Sequence, residues 1–276
     1  MLRTVLSGLC AALALFSTTA NARCEDDWIC VDEIRNDDNV ELRARNLREF
    51  PITYTLRVRA KRYSVAGPNT VTQSLGPGET HQIMVLEGRE AGKEGSFRYS
   101  IKWTVGREDA QHDDEQLYAL PYASKNSYRV LQGYGSRFSH RGREEFAVDF
   151  DMPVGTPVHA ARPGVVARVE ESNSKGCWDD DCGQYANFIV VLHDDGTTGE
   201  YYHLDKDGVL VNVGDTVARG QLIGLSGNTG HTTMPHLHFA VYRAVQWGRT
   251  QSIEVRFQSA DGIITRPRRG ARYQAL

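Results

Sequence analysis

The sequence predicts an all-β protein of two domains, on three observations. Apolar and polar residues alternate at period two along much of the chain, Gly recurs 26 times among short apolar runs, and the second half contains no stretch with a helical apolar period. Alternation at period two gives a strand one core face and one solvent face, while glycine supplies the turn conformations that other residues avoid. At roughly 100–200 residues per domain, a length of 276 residues provides for two cores.

Composition narrows the function classes. With 40% hydrophobic and 24% charged residues, and 32 basic against 35 acidic side chains for a net charge of -3, the chain is neither disordered, collagen-like nor a coiled coil. It also lacks the basic excess of a nucleic-acid partner.

Residues 1–22 read as a secretory signal peptide: Arg3, an apolar run from Val5 to Phe16, then Ala20-Asn21-Ala22 ahead of Arg23. That run is shorter than the ~20 apolar residues of a membrane helix, and no later stretch approaches such a length. The expectation is a periplasmic or secreted protein with no integral membrane segment. Cleavage after Ala22 leaves Cys24, Cys30, Cys177 and Cys182. In an exported chain these read as disulfides, with Cys24–Cys30 and Cys177–Cys182 favoured by their close spacing.

Residues 23–106 are expected to form a small β-sandwich. Val40–Ala44 and Ile52–Arg59 alternate strictly, Gly67-Pro68-Asn69 and Gly76-Pro77-Gly78 mark turns, and His81–Leu86 and Phe97–Val105 are further strands. Residues 107–117 read as a polar linker. Residues 118–276 then form a second β domain whose glycines flank short runs such as Val165-Val166-Ala167 and Phe188–Leu192.

The chemistry centres on His236-Leu237-His238-Phe239. Residues two apart on a strand share a face, so both imidazoles enter one space while Leu237 and Phe239 pack behind. His203 follows Tyr201-Tyr202, and Asp149 lies in Phe146-Ala147-Val148-Asp149-Phe150, on the face away from the phenylalanines. Together Asp149, His203, His236 and His238 supply the nitrogen and oxygen ligands that zinc prefers, with groups left over to activate a water. His159 and His193 read as structural, and His231 as a residue of the groove lining. The acidic run Trp178–Asp181 reads as a solvated disulfide loop, and Arg266-Pro267-Arg268-Arg269 as a basic patch or solvated tail.

From Ser139 to Arg243 the chain resembles the lysostaphin-type zinc metalloendopeptidases, which cut peptide cross-links or stems in bacterial peptidoglycan. The resemblance is carried by Ala147-Val148-Asp149-Phe150, Pro153–Ala161, Tyr202-His203-Leu204, Val213–Val217, Gly220–Gly224, Ser226–Gly230 and His236-Leu237-His238-Phe239. It implies an open antiparallel β groove of the duplicated hybrid motif type with zinc on its floor. It further implies Asp149 and His238 as ligands, and His203 and His236 flanking the catalytic water.

The family's first ligand, a His with three residues between it and the Asp, is replaced here by Glu145. His140 lies further upstream, and Ser139-His140-Arg141-Gly142 resembles a stretch found in some exported members. His140 is therefore expected to be the first ligand, with Glu145 as the alternative. The second reading is a catalytically degenerate wall-binding protein or activator of other murein hydrolases. A carrier domain, suggested by Val213–Gln221, is disfavoured because no lysine follows Lys206.

Overall fold

The computed structural model describes residues 20–90, 92–93 and 95–276. Most of the expected signal peptide, residues 1–19 with Cys10, lies outside the described residues. The architecture is all-β, and the helical segments among the described residues are two 3-10 turns, Gly142–Glu144 and Asp180–Tyr185. No helix among them is long and apolar enough to cross a membrane.

The first half forms two sheets. One has the order Ala20–Glu25, Ile29–Asn36, Asn39–Asn46, Thr80–Gly88, Tyr63–Val65; the other places Ile52–Lys61 between Thr70–Leu75 and Ser96–Val105. Both sheets contribute to one core, in which Val31, Leu42 and Leu86 of the first meet Ile52, Tyr54, Leu56 and Leu75 of the second. Along Asn39–Ala44, Val40, Leu42 and Ala44 are buried while Asn39, Glu41 and Arg43 are exposed or half-buried, the burial counterpart of the alternation in sequence. The Cys24–Cys30 disulfide closes the first hairpin.

The second half is organised around a nine-stranded sheet among the described residues. Its path runs Thr216–Val217, Gly164–Glu170, Phe188–Leu192, Thr198–Tyr202, Leu237–Val245, Val148–Phe150, Ser127–Gln132, Arg272–Gln274, with Arg249–Ser252 paired on Leu237–Val245. Smaller sheets surround it, including Pro157–His159 with Leu222–Ser226 and Leu204–Val209. The core beneath holds Phe150, Val166, Ile189, Val191, Tyr201, Leu237, Phe239 and Phe257.

Two of these strands are apolar on both faces for a visible reason. Val166, Ile189 and Val191 belong to the core just described, whereas Ala167, Val165 and Leu192 pack into the core of the sandwich. A strand covered on both sides reads as an unbroken apolar run rather than an alternation. Trp103 of the sandwich sits 5.4 Å from the Arg168 guanidinium, and Thr55 Oγ1 accepts a hydrogen bond from Trp247 N at 2.7 Å. The polar stretch that follows the sandwich is irregular but fastened, through Arg107 N to Gly196 O and Gln111 N to Asp195 O. The sandwich therefore backs the large sheet.

Candidate metal centre

Strand register assembles the centre. Tyr202 and His238 are cross-strand partners, His238 and Asp149 are the next pair, and Asp149 and Gln132 the next, so one row of side chains crosses four strands. Gln132 Nε2 donates to Asp149 Oδ2 at 2.6 Å, and His238 Nδ1 lies 2.9 Å from Asp149 Oδ1. Burial opposes charge on Asp149, but the His140 and His238 rings beside it, with His236 nearby, favour the carboxylate, outweigh burial and hold the carboxyl well below its ordinary range. Burial likewise opposes charge on His238, yet the Asp149 partner raises its pKa.

The loop before the Asp149 strand brings in His140. Its ring is buried, and Nε2 lies 3.2 Å from Asp149 Oδ1. One ligand atom from each of His140, Asp149 and His238 falls within 4.8 Å of the others. Glu145 is not part of this group: it is exposed, and it does not line the cavity above the cluster. The 3-10 turn Gly142–Glu144 instead aims Glu144 toward the site.

The proton positions follow from the outer partners. Tyr242 Oη donates to Glu144 Oε2 at 2.5 Å, so toward His238 Nε2, 3.2 Å away, it can only accept. A neutral His238 therefore carries its proton on Nε2 and turns the Nδ1 lone pair to the cluster. His140 Nδ1 faces the Gly133 carbonyl at 3.3 Å, which leaves its buried Nε2 as a lone pair without a hydrogen-bond partner. Two imidazole lone pairs and a carboxylate oxygen converging in a buried space fit a divalent cation such as zinc.

His203 and His236 stand beside the cluster, their rings 4.6 Å apart. His203 Nδ1 is 2.7 Å from Thr229 O and His236 Nδ1 is 2.8 Å from Met234 O. Carbonyls only accept, so both rings carry the proton on Nδ1 and keep Nε2 as a base. Burial, and then the neighbouring imidazoles, push the pKa of His203 down to about 3; burial also lowers that of His236. His203 has a φ of 65°, a left-handed conformation that costs a non-glycine residue roughly 1–2 kcal/mol. It is the corner residue between strand Thr198–Tyr202 of the large sheet and strand Leu204–Val209 of a smaller one. Strain held at such a corner fits a residue whose placement matters.

A cavity of about 540 Å³ lies over these residues, lined entirely from residues 129–270. No described residue of the sandwich enters its lining. Several lining residues were not legible as such in the sequence. Phe138 and Trp178 stack at 5.1 Å, Trp178 rests on His231 at 4.2 Å, and Glu144 and Arg269 complete the rim. Trp178 thus departs from the expectation of a purely solvated loop, because the disulfide Cys177–Cys182 and the pairing of Gly176–Cys177 with Gly230–His231 hold it over the cavity. His231 lines the groove. His193 is structural, donating from Nδ1 to Pro163 O at 2.8 Å, and His159 faces Gly220 O.

Comparison with known proteins bears on the same segment. Residues 143–252 match peptidase family M23, a span that begins just after His140. Over 135 residues the chain is 35% identical to the peptidoglycan DD-endopeptidase ShyA of Vibrio cholerae, covering 48% of this chain and 29% of that protein. Over 116 residues it is 40% identical to lysostaphin of Staphylococcus simulans, covering 41% of this chain and 21% of lysostaphin. The chain thus spans less than a third of the length of either curated relative. The solved structure of the antimicrobial peptidase lysostaphin from Staphylococcus simulans aligns with 32% identity and a TM-score of 0.34, over 48% of this chain and 50% of that one. On the strength of the sequence match, this chain carries a peptidase M23 domain, with lysostaphin and ShyA among its homologues.

Proposed function

We propose that the protein is an exported zinc metalloendopeptidase that hydrolyses peptide bonds in bacterial peptidoglycan. The observation that carries this reading is the convergence of His140, Asp149 and His238 ligand atoms within 4.8 Å, in a groove that belongs to a peptidase M23 domain. ShyA is named a peptidoglycan DD-endopeptidase, which supports the same substrate here. The leader-like residues 1–22 and the two paired disulfides support export to the periplasm or beyond. Residues 23–106 act in this reading as a β-sandwich unit backing a peptidase unit of residues 118–276.

His140, Asp149 and His238 are assigned as the zinc ligands. When bound there, zinc supplies Lewis-acid polarisation of the scissile carbonyl and acidifies water toward a pKa of about 7. His203 and His236 are assigned as the catalytic pair. With Nδ1–H tied to a carbonyl, each presents a basic Nε2 to the cavity, and the ring that takes the proton of the attacking water becomes a cation. That imidazolium then donates to the developing oxyanion and returns the proton to the leaving amine as the C–N bond breaks. Gln132 fixes the free oxygen of Asp149, and Tyr242 fixes the tautomer of His238.

The test is incubation of the purified protein with isolated peptidoglycan, with and without a zinc chelator, followed by mass spectrometry of released fragments. Chelator-sensitive release of peptide-cleaved fragments is expected. A folded, zinc-supplied protein that releases nothing overturns the hydrolase reading in favour of a wall-binding or activating role.

A further inference from the structure

The rim of the cavity carries apolar and cationic groups that binding a metal does not require. Phe138, Trp178 and Met234 all line it, yet their exposures are 60%, 50% and 41%. Large exposed aromatics gathered around one concave site mark a binding surface. Trp178 is held by the Cys177–Cys182 disulfide, by the Thr232 N to Cys177 O bond at 3.0 Å, and by the close approach of Gly176 to Asn228. A Cβ at Gly176 would lie 2.1 Å from Asn228 O, so only glycine permits this contact. Phe138 lies parallel to Trp178 within 15°.

Arg269 shares the lining, and its backbone is fixed rather than trailing. Gly270 N donates to Val130 O at 2.8 Å and Val130 N to Ala271 O at 2.9 Å. One turn earlier, Pro267 O sits where a Cβ of residue 133 would be, at 2.0 Å, so glycine at 133 allows the segments to meet. These segments, 133–139 and 265–272, carry Arg137, Arg266, Arg268, Arg269 and Arg272 and no acid. Arg269 itself makes no hydrogen bond or ion pair among the described residues. The two carboxylates in the lining are already engaged, Asp149 with His238 and Gln132, and Glu144 with Tyr242. Asp179 and Asp181, beside Trp178 in sequence, are exposed and absent from the lining.

We propose that Phe138, Trp178 and Arg269 build a subsite beside the His140–Asp149–His238 cluster that takes a carboxylate-bearing peptide arm of the substrate. Arg269 receives the carboxylate, and the stacked rings cover the apolar part of the arm. The assignment rests on the peptidoglycan reading above and deepens it. A cation with no partner among the described residues, sharing one cavity lining with the stacked rings, complements an anionic peptide; a neutral sugar would leave the guanidinium unmatched.

The experiment titrates the zinc-supplied full chain with soluble disaccharide-peptides prepared from peptidoglycan, either native or with their carboxylates amidated. Binding is read by calorimetry and by tryptophan fluorescence, and cleavage separately by mass spectrometry. Amidation is expected to weaken binding about five- to tenfold, the size of an exposed charge-assisted contact. Arg269→Ala should weaken the native ligand by the same factor and leave the amidated one unchanged, with Arg269→Lys intermediate. Trp178→Ala should weaken both ligands and abolish the fluorescence change. The proposal is overturned if amidation has no effect, if Arg269→Ala binds native ligand as the parent does, or if peptide-free glycan fragments bind as tightly as the complete ligand. Absence of cleavage with the acid–amide discrimination intact would instead defeat the hydrolase reading and leave the subsite standing.

Discussion

His238 and Asp149 face each other across adjacent antiparallel strands, with Nδ1 and Oδ1 2.9 Å apart. Opposed cross-strand side chains are held together by backbone register, so this pair is preassembled before any ligand arrives. Replacing His238 or His140 with Ala should therefore remove bound zinc while the strands stay paired. His203→Ala and His236→Ala should keep the metal and lower turnover by about 100-fold or more, the usual share of a general acid–base group. Elemental analysis beside a peptidoglycan-release assay checks the division, and a zinc-replete His238→Ala protein would remove the ligand assignment.

Tyr242→Phe should weaken zinc without unfolding the chain. The ring remains in its buried position, but His238 Nε2 loses the acceptor that sets its tautomer. Outer-shell partners of this kind contribute roughly 10–100-fold in metal affinity. Competition with a chromophoric chelator measures the change, and unchanged affinity would show that Tyr242 does not orient His238.

His193 makes stability depend on pH. Burial holds its pKa down to about 4, and its Nε2 is buried with no partner to receive a second proton. The folded state keeps the ring neutral where the unfolded chain, with an ordinary His pKa near 6.5, takes up a proton. The unfolded state thus binds more protons between about pH 4 and 6.5, and the contribution of this residue to stability rises with pH across that window. At about 1.4 kcal/mol per pKa unit the change is on the order of 3 kcal/mol. Denaturant unfolding at several pH values should show a smaller slope in His193→Gln; equal slopes would refute it.

Gly133→Ala should destabilise the peptidase half by about 1–3 kcal/mol, the usual cost of overpacking. The new methyl would lie 2.0 Å from the Pro267 carbonyl oxygen, a backbone atom that cannot swing aside. The expected signature is a lower denaturation midpoint together with faster proteolysis near Arg268. A midpoint equal to that of the parent would mean that residues 266–270 are not clamped against this loop.

Much of the architecture was legible in sequence because strand periodicity is local. The alternation in Asn39–Asn46 and Ile52–Lys61 appears directly as buried and exposed faces. The disulfides Cys24–Cys30 and Cys177–Cys182 follow the close spacing of their cysteines. Asp149, His203, His236 and His238 stood out as residue types in recognisable strand contexts. Other features were hidden because they join distant segments. Glu144 and Tyr242 are 98 residues apart, and nothing in either neighbourhood announces the other. Phe138 and Trp178 lie in loops of ordinary composition and form one platform only after folding. Arg269 reads as part of a basic tail until the pairing of its neighbours Gly270 and Ala271 with Val130 fixes it at the cavity.

The sequence by itself determined the strand-rich character, the cysteine pairing and the set of imidazole and carboxylate groups available for a metal. Each of these depends on neighbours within a few residues or on residue chemistry alone. Tertiary structure decided that His140, and not Glu145, reaches Asp149, that Glu144 and Tyr242 stand behind His238, and that the sandwich backs the sheet without any described residue of it lining the groove. Those outcomes depend on strand register and loop paths across the whole chain, where a one-residue slip would turn Asp149 and His238 to opposite faces of the sheet.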